Sequence, residues 1–246
     1  MLMKIRTVLF YVCWGIATAI WSLLIVAMIV LPYRRRLLWA TGWADTSIWL
    51  ARVLAGIDYQ VHGREHLPDR AMVFASNHQS TWETLFLPTL WRDQVWVLKK
   101  ELTQIPIFGW AMALLRPIAI DRSQRKQAMQ QVIEQGRAKI EAGLSVVMYP
   151  EGHRFAPEVP LKFKSGAARL AHNLQVSIIP IAHNAGQFWP RRGWLHSGTV
   201  QVFIGKAIDP ADFETVEAFN QALEDWVRVH RDQAVQAENA RRGVSA

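Results

Sequence analysis

The stretch "AMVFASNHQSTWET", residues 71–84, joins an apolar run to a short polar segment and then to a helix-forming pattern. Its first six residues are typical of a buried strand, because apolar and β-branched residues there are followed by a turn-forming segment. The polar segment places His78 five positions before Glu83. Ser80 and Glu83 also fit the capping box that opens many helices, with serine at the N-cap and glutamate three residues later. The stretch therefore predicts a strand, a loop that carries a histidine, and a helix.

The same alternation continues along the chain and predicts the fold. Further strands are predicted at residues 94–98, 116–121, 145–150, 176–182 and 199–205. Helices are predicted at residues 80–91, 104–115, 124–142 and 164–174. Strands that alternate with helices indicate an α/β fold, here a mixed, mainly parallel sheet flanked by helices. We expect membrane-anchoring helices in residues 1–57, the α/β domain in residues 58–210, and an amphipathic helix with a frayed tail in residues 211–246.

The first fifth of the chain is predicted to form a membrane-embedded segment. Residues 9–31 form an uncharged run of 23 residues, long enough to cross a hydrocarbon core of about 30 Å. Residues 17–19, "ATA", offer a signal-peptide cleavage site, but the run continues for twelve residues beyond them, which favours a retained anchor. Residues 37–57 are also apolar, with Asp45 and Arg52 on one helix face. That pattern suits a helix at the membrane interface or a re-entrant hairpin, and the alternative is a buried helix of a soluble protein.

Net charge indicates which classes of partner the chain can bind, and its cysteine and histidine content restricts disulfides and metal sites. The net charge is +8, and residues 207–246 hold eight acids and four bases, so that segment is −4 and the rest is +12. A basic body is typical of proteins that bind nucleic acid, anionic membranes or phosphate-bearing small molecules. The chain lacks the aromatic-plus-basic motifs of RNA and single-strand binding, so we expect no nucleic acid partner. The single cysteine, Cys13, excludes an internal disulfide, and the histidine spacing does not favour a metal site.

Three polar clusters follow predicted strands. They are His78 with Glu83, Asp121 with Arg122, and the segment from Glu151 to Arg154. Sites in parallel sheets lie beyond the carboxyl ends of strands, so the clusters are expected to meet at one edge. A histidine with a carboxylate partner can take a proton from a hydroxyl near neutral pH. Capping and orientation of the histidine are expected to compete for Glu83.

Other features of the sequence bear on the chemistry. Lys100, Arg122, Arg154 and Lys164 lie near predicted loop ends and are candidate phosphate ligands, with a solvated surface base as the alternative for each. Backbone N–H groups at the helix beginning near Ser80 could stabilise a developing oxyanion. No serine nucleophile elbow, Walker loop or G-x-G-x-x-G motif occurs. Direct attack by a substrate hydroxyl therefore fits best.

Five segments resemble the successive blocks of one enzyme family, the lysophospholipid and glycerolphosphate acyltransferases. They are "NHQSTWE" (77–83), "KKELTQIPIFGW" with "IAIDR" (99–122), "YPEGHR" (149–154), "LKFKSGAARLA" (161–171) and "VSIIPIA" (176–182). The blocks come in family order, and the likeness is nearest to the bacterial 1-acylglycerol-3-phosphate acyltransferases.

The resemblance implies a general base at His78 and an orienting acid at Glu83. It also implies that Arg122, Glu151, Gly152 and Arg154, together with Lys100, shape the phosphate-binding side. Two positions depart from the family pattern, which has aspartate where this chain has Glu83 and threonine where it has His153. The first makes the geometry of the His78–Glu83 pair an open question, and the second could alter contacts with the acceptor headgroup.

The implied reaction is transfer of a fatty acyl group from acyl-CoA or acyl-ACP to the sn-2 hydroxyl of lysophosphatidate, without a metal or redox cofactor. The implied partners are the lipid acceptor, membrane lipids and an acyl carrier protein, and the implied location is the bacterial inner membrane with the catalytic domain facing the cytoplasm. Alternatives are acylation of a lyso-ornithine lipid or of glycerol 3-phosphate, a thioesterase, and a non-enzymatic membrane-tethered module that binds anions. The sequence does not indicate an oligomeric state.

Overall fold

The computed structural model describes residues 1–121 and 125–243. The strands are β1 (Ile57–His62), β2 (Val73–Ser76), β3 (Gln94–Lys99), β4 (Ile118–Ile120), β5 (Ser145–Met148), β6 (Ile178–His183) and β7 (Gly198–Ile204). The α-helices are α1 (Leu2–Ala27), α2 (Tyr33–Leu50), α3 (Trp82–Leu90), α4 (Phe108–Leu114), α5 (Arg125–Glu141), α6 (Gly166–Leu174) and α7 (Val216–Arg242).

The strands form one mixed sheet in the order β1-β7-β6-β2-β5-β3-β4. The strands from β2 to β6 run parallel to one another, β7 is antiparallel to β6, and β1 is parallel to β7. The prediction of a mixed, mainly parallel sheet flanked by helices is confirmed. Because β2, β4 and β5 are parallel, the loops that follow them leave the same edge of the sheet.

Side chains alternate between the two faces of the sheet and build two apolar layers. Phe74 and Val147 face a cluster formed with α1 and α3, whereas Val73 and Val146 face a cluster formed with α5, α6 and α7. Residues on both sides of position 57 share the first cluster. Phe10 of α1, for example, is fully buried and packs edge-to-face on Trp189 with a centroid distance of 4.9 Å.

Helices α1 and α2 form a hairpin that packs along the α/β domain. Residues 2–30, which are α1 with the 3-10 turn Met28–Val30, are long and apolar enough to cross a membrane. One face of α1 packs inward, and the indole N–H of Trp14 donates to Ser47 Oγ of α2. The opposite face exposes an apolar stripe that comprises Ile5, Val8, Leu9, Val12, Ile16, Ile20, Leu23, Leu24 and Val30. The hairpin therefore presents a continuous apolar surface outward.

Several element boundaries were predicted wrongly. The edge strand β1 was not predicted, although polar and apolar residues alternate in "IDYQVH" with the period of a half-buried strand. The helix expected at residues 104–115 forms only from Phe108, since Pro106 cannot donate a helical hydrogen bond and Ile107 has φ +64°. The strand expected at residues 116–121 shortens to β4, because Arg116 has φ +48° and Pro117 follows it.

The two flanking helices also differ from expectation. Helix α2 begins at Tyr33 rather than at residue 37, and its inner face is buried against α1 and α3. Helix α7 continues to Arg242, so the frayed tail expected within residues 211–246 is wrong for the described residues. The tail is ordered because Asn184 Nδ2 donates to Ala234 O, and Gln187 Nε2 donates to Val235 O and to Asn239 Oδ1.

Candidate active site

The loop between β2 and α3 gathers three hydrogen-bond donors on one carboxylate oxygen. Glu83 Oε1 lies 2.7 Å from His78 Nδ1, 3.0 Å from the backbone nitrogen of Gln79 and 2.9 Å from that of Ser80. The contact with the Ser80 N–H has the three-residue spacing of a capping box, one residue ahead of the N-cap Thr81. The expectation that capping and orientation compete for Glu83 is therefore wrong, because one oxygen accepts both.

The same geometry corrects two finer expectations. Helix α3 begins at Trp82 with Thr81 at the N-cap, rather than with Ser80 there, and Ser80 Oγ accepts from the Trp82 N–H. The N–H groups of Gln79 and Ser80 donate to Glu83, so neither is available for an oxyanion. The expected oxyanion donors at this helix beginning are therefore wrong for these two groups.

Glu83 is fully buried, and its Oε1 acts as the acceptor of three N–H hydrogen bonds. Burial favours the neutral acid, but the neighbouring His183 and His78 and the hydrogen bonds from His78 and Ser80 outweigh it, and the pKa of Glu83 is lowered. Because Oε1 also accepts from two backbone N–H groups, it is the acceptor in its contact with His78, and neutral His78 carries its proton on Nδ1. The other ring nitrogen, Nε2, then carries the lone pair that a base requires.

The His78 ring packs against Tyr149 and is partly exposed to solvent. It stacks on Tyr149 with a centroid distance of 4.4 Å, and its side chain is 17 % exposed. The backbone O of His78 accepts a hydrogen bond from the Phe155 N–H at 3.0 Å. The loop after β5 therefore positions both the ring and the main chain of His78.

Glu151 lies beneath His78. Its side chain is 3 % exposed, and Oε1 accepts a hydrogen bond from the His78 N–H at 3.1 Å. Burial raises the pKa of Glu151 to about 8, helped by the charge of Glu83 and opposed by the His78 N–H and by Arg231. Glu151 Oε2 and Tyr149 Oη are buried and have no hydrogen-bond partner in the described part of the chain. Glu151 and Tyr149 therefore place buried polar groups next to His78, and we call this layer the polar floor.

His183 at the end of β6 completes this floor. It is almost fully buried, its Nδ1 accepts from the Ala185 N–H, and its Nε2 lies 2.9 Å from Asn77 O and 4.0 Å from Glu83 Oε2. Burial lowers the pKa of His183 in spite of the nearby Glu83 charge. A neutral His183 therefore carries its proton on Nε2, directed towards Asn77 O.

The bases after β5 border the same loop. Arg154 Nη1 donates to Thr81 Oγ1 at 2.7 Å, beside the beginning of α3. Gly152 has φ +83°, and a Cβ at this position would lie 2.8 Å from Lys164 Nζ. A side chain at position 152 would thus be strained and would also displace Lys164. Arg154 is therefore held beside Thr81 of the loop that carries His78, and Lys164 lies beside Gly152.

Lys100, a further predicted ligand, makes no contact with this group among the described residues. Lys100 follows β3 at the same edge, and its side chain makes no polar contact with the described residues. Arg122 lies outside the described residues, and Asp121 just before it is exposed at the end of β4. Among the described residues, no three histidine, cysteine or acidic side chains come together as a metal site would require.

The sequence pattern did not assign Tyr149, Asn77 or His183 to the site. Tyr149 could have been noticed, because it lies near the end of the strand predicted at residues 145–150 and two residues before Glu151. The link between Asn77 and His183 depends on the pairing of β2 with β6, and strand order cannot be read from spacing.

Comparison with known proteins identifies the family. The model of the family described as Acyltransferase matches residues 58–184. A 1-acyl-sn-glycerol-3-phosphate acyltransferase of Pseudomonas aeruginosa is 44 % identical over 91 % of this chain and 89 % of its own length. The chain belongs to the 1-acyl-sn-glycerol-3-phosphate acyltransferase family. It is an O-acyltransferase, as the resemblance implied.

More distant relatives agree with this assignment. An acyltransferase of the same name from Limnanthes alba is 31 % identical to this acyltransferase over 90 % of the chain and 79 % of its own length. The crystal structure of the 1-acyl-sn-glycerophosphate acyltransferase PlsC from Thermotoga maritima matches with a TM-score of 0.78 at 22 % identity, over 94 % of this chain and 97 % of that one. At that identity the likeness supports the fold alone.

Proposed function

We propose that this acyltransferase moves a fatty acyl group from an acyl-CoA or acyl-ACP thioester to the sn-2 hydroxyl of 1-acylglycerol 3-phosphate, which yields phosphatidate. The names of the relatives support the acceptor. The 2.7 Å contact between His78 Nδ1 and Glu83 Oε1 is the observation that carries the mechanism. It leaves Nε2 of His78 as the basic atom.

In this mechanism His78 Nε2 takes the hydroxyl proton as the acceptor oxygen attacks the thioester carbonyl. The new C–O bond forms, the C–S bond breaks, and the imidazolium returns its proton to the leaving thiolate. Glu83 holds the ring in the required tautomer and stabilises the imidazolium. The reaction involves no oxidation or reduction, and the thioester carbonyl is already activated towards attack. We therefore propose that no metal or redox cofactor takes part.

Arg154 is the proposed ligand of the acceptor phosphate, with Lys164 beside it. A guanidinium binds phosphate through paired hydrogen bonds, whereas an ammonium acts as a point charge. The contact with Thr81 Oγ1 holds Arg154 next to the loop that carries His78. Binding the phosphate there would orient the hydroxyl towards Nε2 and reduce the entropy cost of the attack.

The proposed location is the bacterial inner membrane, with the active site on the cytoplasmic side. The apolar hairpin supports a membrane location, and both proposed donors are products of the cytoplasm. In this arrangement the lipid acceptor keeps its acyl chain in the bilayer while its headgroup reaches the edge of the sheet.

The test is an acyl-transfer assay with lysophosphatidate and labelled acyl-CoA or acyl-ACP, using wild type beside His78→Ala. We expect loss of the base to reduce the rate by about 10²–10⁴-fold. Activity unchanged in His78→Ala would refute the mechanism. Equal turnover of lyso-ornithine lipid or glycerol 3-phosphate would refute the acceptor, and fatty acid release at the same rate without any acceptor would indicate a thioesterase.

A further inference from the structure

Basic side chains surround one tyrosine at the turn between α1 and α2. We call Tyr33, Arg34, Arg36, Arg116 and Lys139 the tip cluster. The Arg116 guanidinium and the Lys139 ammonium each lie 5.4 Å from the centre of the Tyr33 ring. Tyr33 Oη donates to Leu115 O at 3.1 Å, which fixes the ring between them.

The four bases of the tip cluster have no acidic partner. Arg34 Nη2 donates to Ala142 O at 2.7 Å, and Arg36 is 6 % exposed with an Nε that has no hydrogen-bond partner. Within residues 1–121 and 125–243, no carboxylate forms an ion pair with any of the four. Like charges held this close repel one another, and burying a guanidinium nitrogen without a partner is costly. An anion bound among them would relieve both costs.

Two further features add positive potential at this point. Tyr33, Arg34 and Arg36 lie in the first turn of α2, which contains no acidic residue, so the partial positive charge of the helix end adds to theirs. The pKa of Lys139 is lowered, first by burial and then by the charge of Arg116. The second of these causes reflects the closeness of the Arg116 charge to Lys139.

The tip cluster and the candidate active site lie at opposite ends of the parallel strands. Leu115 and Arg116 precede β4, and Ala142 precedes β5, so the cluster is at the amino ends of these parallel strands. His78 and Arg154 follow the carboxyl ends of β2 and β5. The two groups of bases therefore occupy opposite edges of the sheet and cannot hold the same phosphate.

Apolar side chains border the tip cluster and indicate what kind of anion it holds. Val30, just before the turn, is 86 % exposed, and Ile29, Leu38 and Trp39 are also exposed. They continue the apolar stripe of α1, the candidate membrane span. A soluble anion would gain nothing from these side chains, whereas a lipid would lay its acyl chains against them.

We propose that the tip cluster binds the phosphate group of an anionic phospholipid, with the lipid acyl chains against Val30, Leu38 and Trp39. The bound lipid would be structural rather than a substrate, because the cluster is at the edge of the sheet opposite His78. The proposal does not depend on the proposed acceptor or on the role of His78.

Lys139 provides a local readout of occupancy. The full chain in neutral-detergent micelles is treated with an acetylating reagent, and the acetylation rates of Lys139 and of the exposed Lys206 are followed by peptide mass spectrometry. The additions compared are phosphatidylglycerol, phosphatidylcholine, inorganic phosphate and acyl carrier protein. At a lipid concentration of about ten times the Kd, phosphatidylglycerol should slow Lys139 acetylation about tenfold relative to Lys206.

Two variants test whether the protection comes from the tip cluster. Arg116→Gln should lose most of the protection of Lys139, whereas Arg169→Gln, which removes one exposed arginine elsewhere, should keep it. Protection that persists in His78→Ala would support a site separate from the active site. Equal protection by inorganic phosphate or by phosphatidylcholine would overturn the assignment to anionic lipid. Protection by acyl carrier protein alone would make this a protein-docking surface, and no protection by any addition would remove the site.

Discussion

Glu151 Oε1 accepts the backbone N–H of His78 at 3.1 Å, across 73 residues of chain. The two residues follow the neighbouring parallel strands β5 and β2, so strand pairing brings them together. This contact gives Glu151 a place below the base rather than on an open phosphate-binding surface. The phosphate-binding role that the family resemblance implied for Glu151 stays a prediction, and the geometry favours positioning of His78 instead.

Substitution of Glu151 separates these two roles. Glu151→Gln keeps an oxygen that can accept from the His78 N–H, so we expect its acyl-transfer activity to stay within a few-fold of wild type. Glu151→Ala leaves that N–H unsatisfied, at about 1–3 kcal/mol, and should lower kcat about 5- to 150-fold. A positioning role predicts little change in the KM for lysophosphatidate, whereas a large rise in KM with kcat unchanged would indicate phosphate binding.

The raised pKa of Glu151 makes stability depend on pH. The unfolded carboxyl ionises near its usual pKa of 4.5, but the folded one ionises only at about 8. The unfolded state therefore binds fewer protons between these values, and stability falls as pH rises from about 5 to 8, by up to about 1.4 kcal/mol per pH unit. Thermal unfolding of wild type in detergent should show this decline, and Glu151→Gln should lack this contribution. Parallel profiles for the two proteins would contradict the buried-acid interpretation.

Glu83→Asp tests the departure from the family pattern. The aspartate side chain is one methylene shorter, so its carboxylate would lie farther from the three N–H donors that contact Glu83 Oε1. We expect kcat to fall about tenfold or more, since at least one charge-assisted hydrogen bond worth about 1.5–3 kcal/mol weakens. Steady-state kinetics of the variant check this, with circular dichroism as the control for folding. Full activity would mean that the loop adapts to either acid.

Arg154→Gln should weaken binding of the acceptor. Loss of a charge-assisted contact with phosphate is expected to raise the KM for lysophosphatidate about 10-fold to 150-fold. Arg154→Lys should recover part of the loss, because a point charge remains. Lys162→Gln removes an exposed base from the following segment and serves as the matched control. An equal rise in KM in Lys162→Gln would attribute the effect to general charge.

The ordered end of α7 predicts a sharp limit for truncation. Removal of residues 234–246 would leave Asn184 and Gln187 without the backbone and side-chain acceptors that they use on α7. We expect a loss of about 3 kcal/mol, measured as a lower Tm, from three hydrogen bonds at about 1 kcal/mol each. A truncation at 233 without effect would show that the end of α7 contributes nothing.

Periodicity and turn chemistry were enough to predict the sheet, the order of its main elements and the loop that carries His78. They did not predict the ordered end of α7, because residues near β6 hold it through tertiary contacts. β1 was missed although its polar and apolar residues alternate as in a half-buried strand, and its pairing with β7 is known only from the structure. The His78–Glu83 pair was predictable because both residues lie in one segment. Its polar floor was not, since Glu151 and His183 arrive through strand order.

The acid and the base of this enzyme are neighbours in the chain, while the groups beneath them come from far along it. His78 and Glu83 lie five residues apart, but Asn77 and His183 are separated by 106. Closing a loop of about 106 residues costs more entropy than closing the six-residue segment from His78 to Glu83. The two members of the reactive pair therefore meet within one short segment, while contacts from the loop after β5 fix where that segment lies. Transfer of the His78–Glu83 pair to another scaffold would also require the strands β5 and β6, which bring Glu151 and His183 to it.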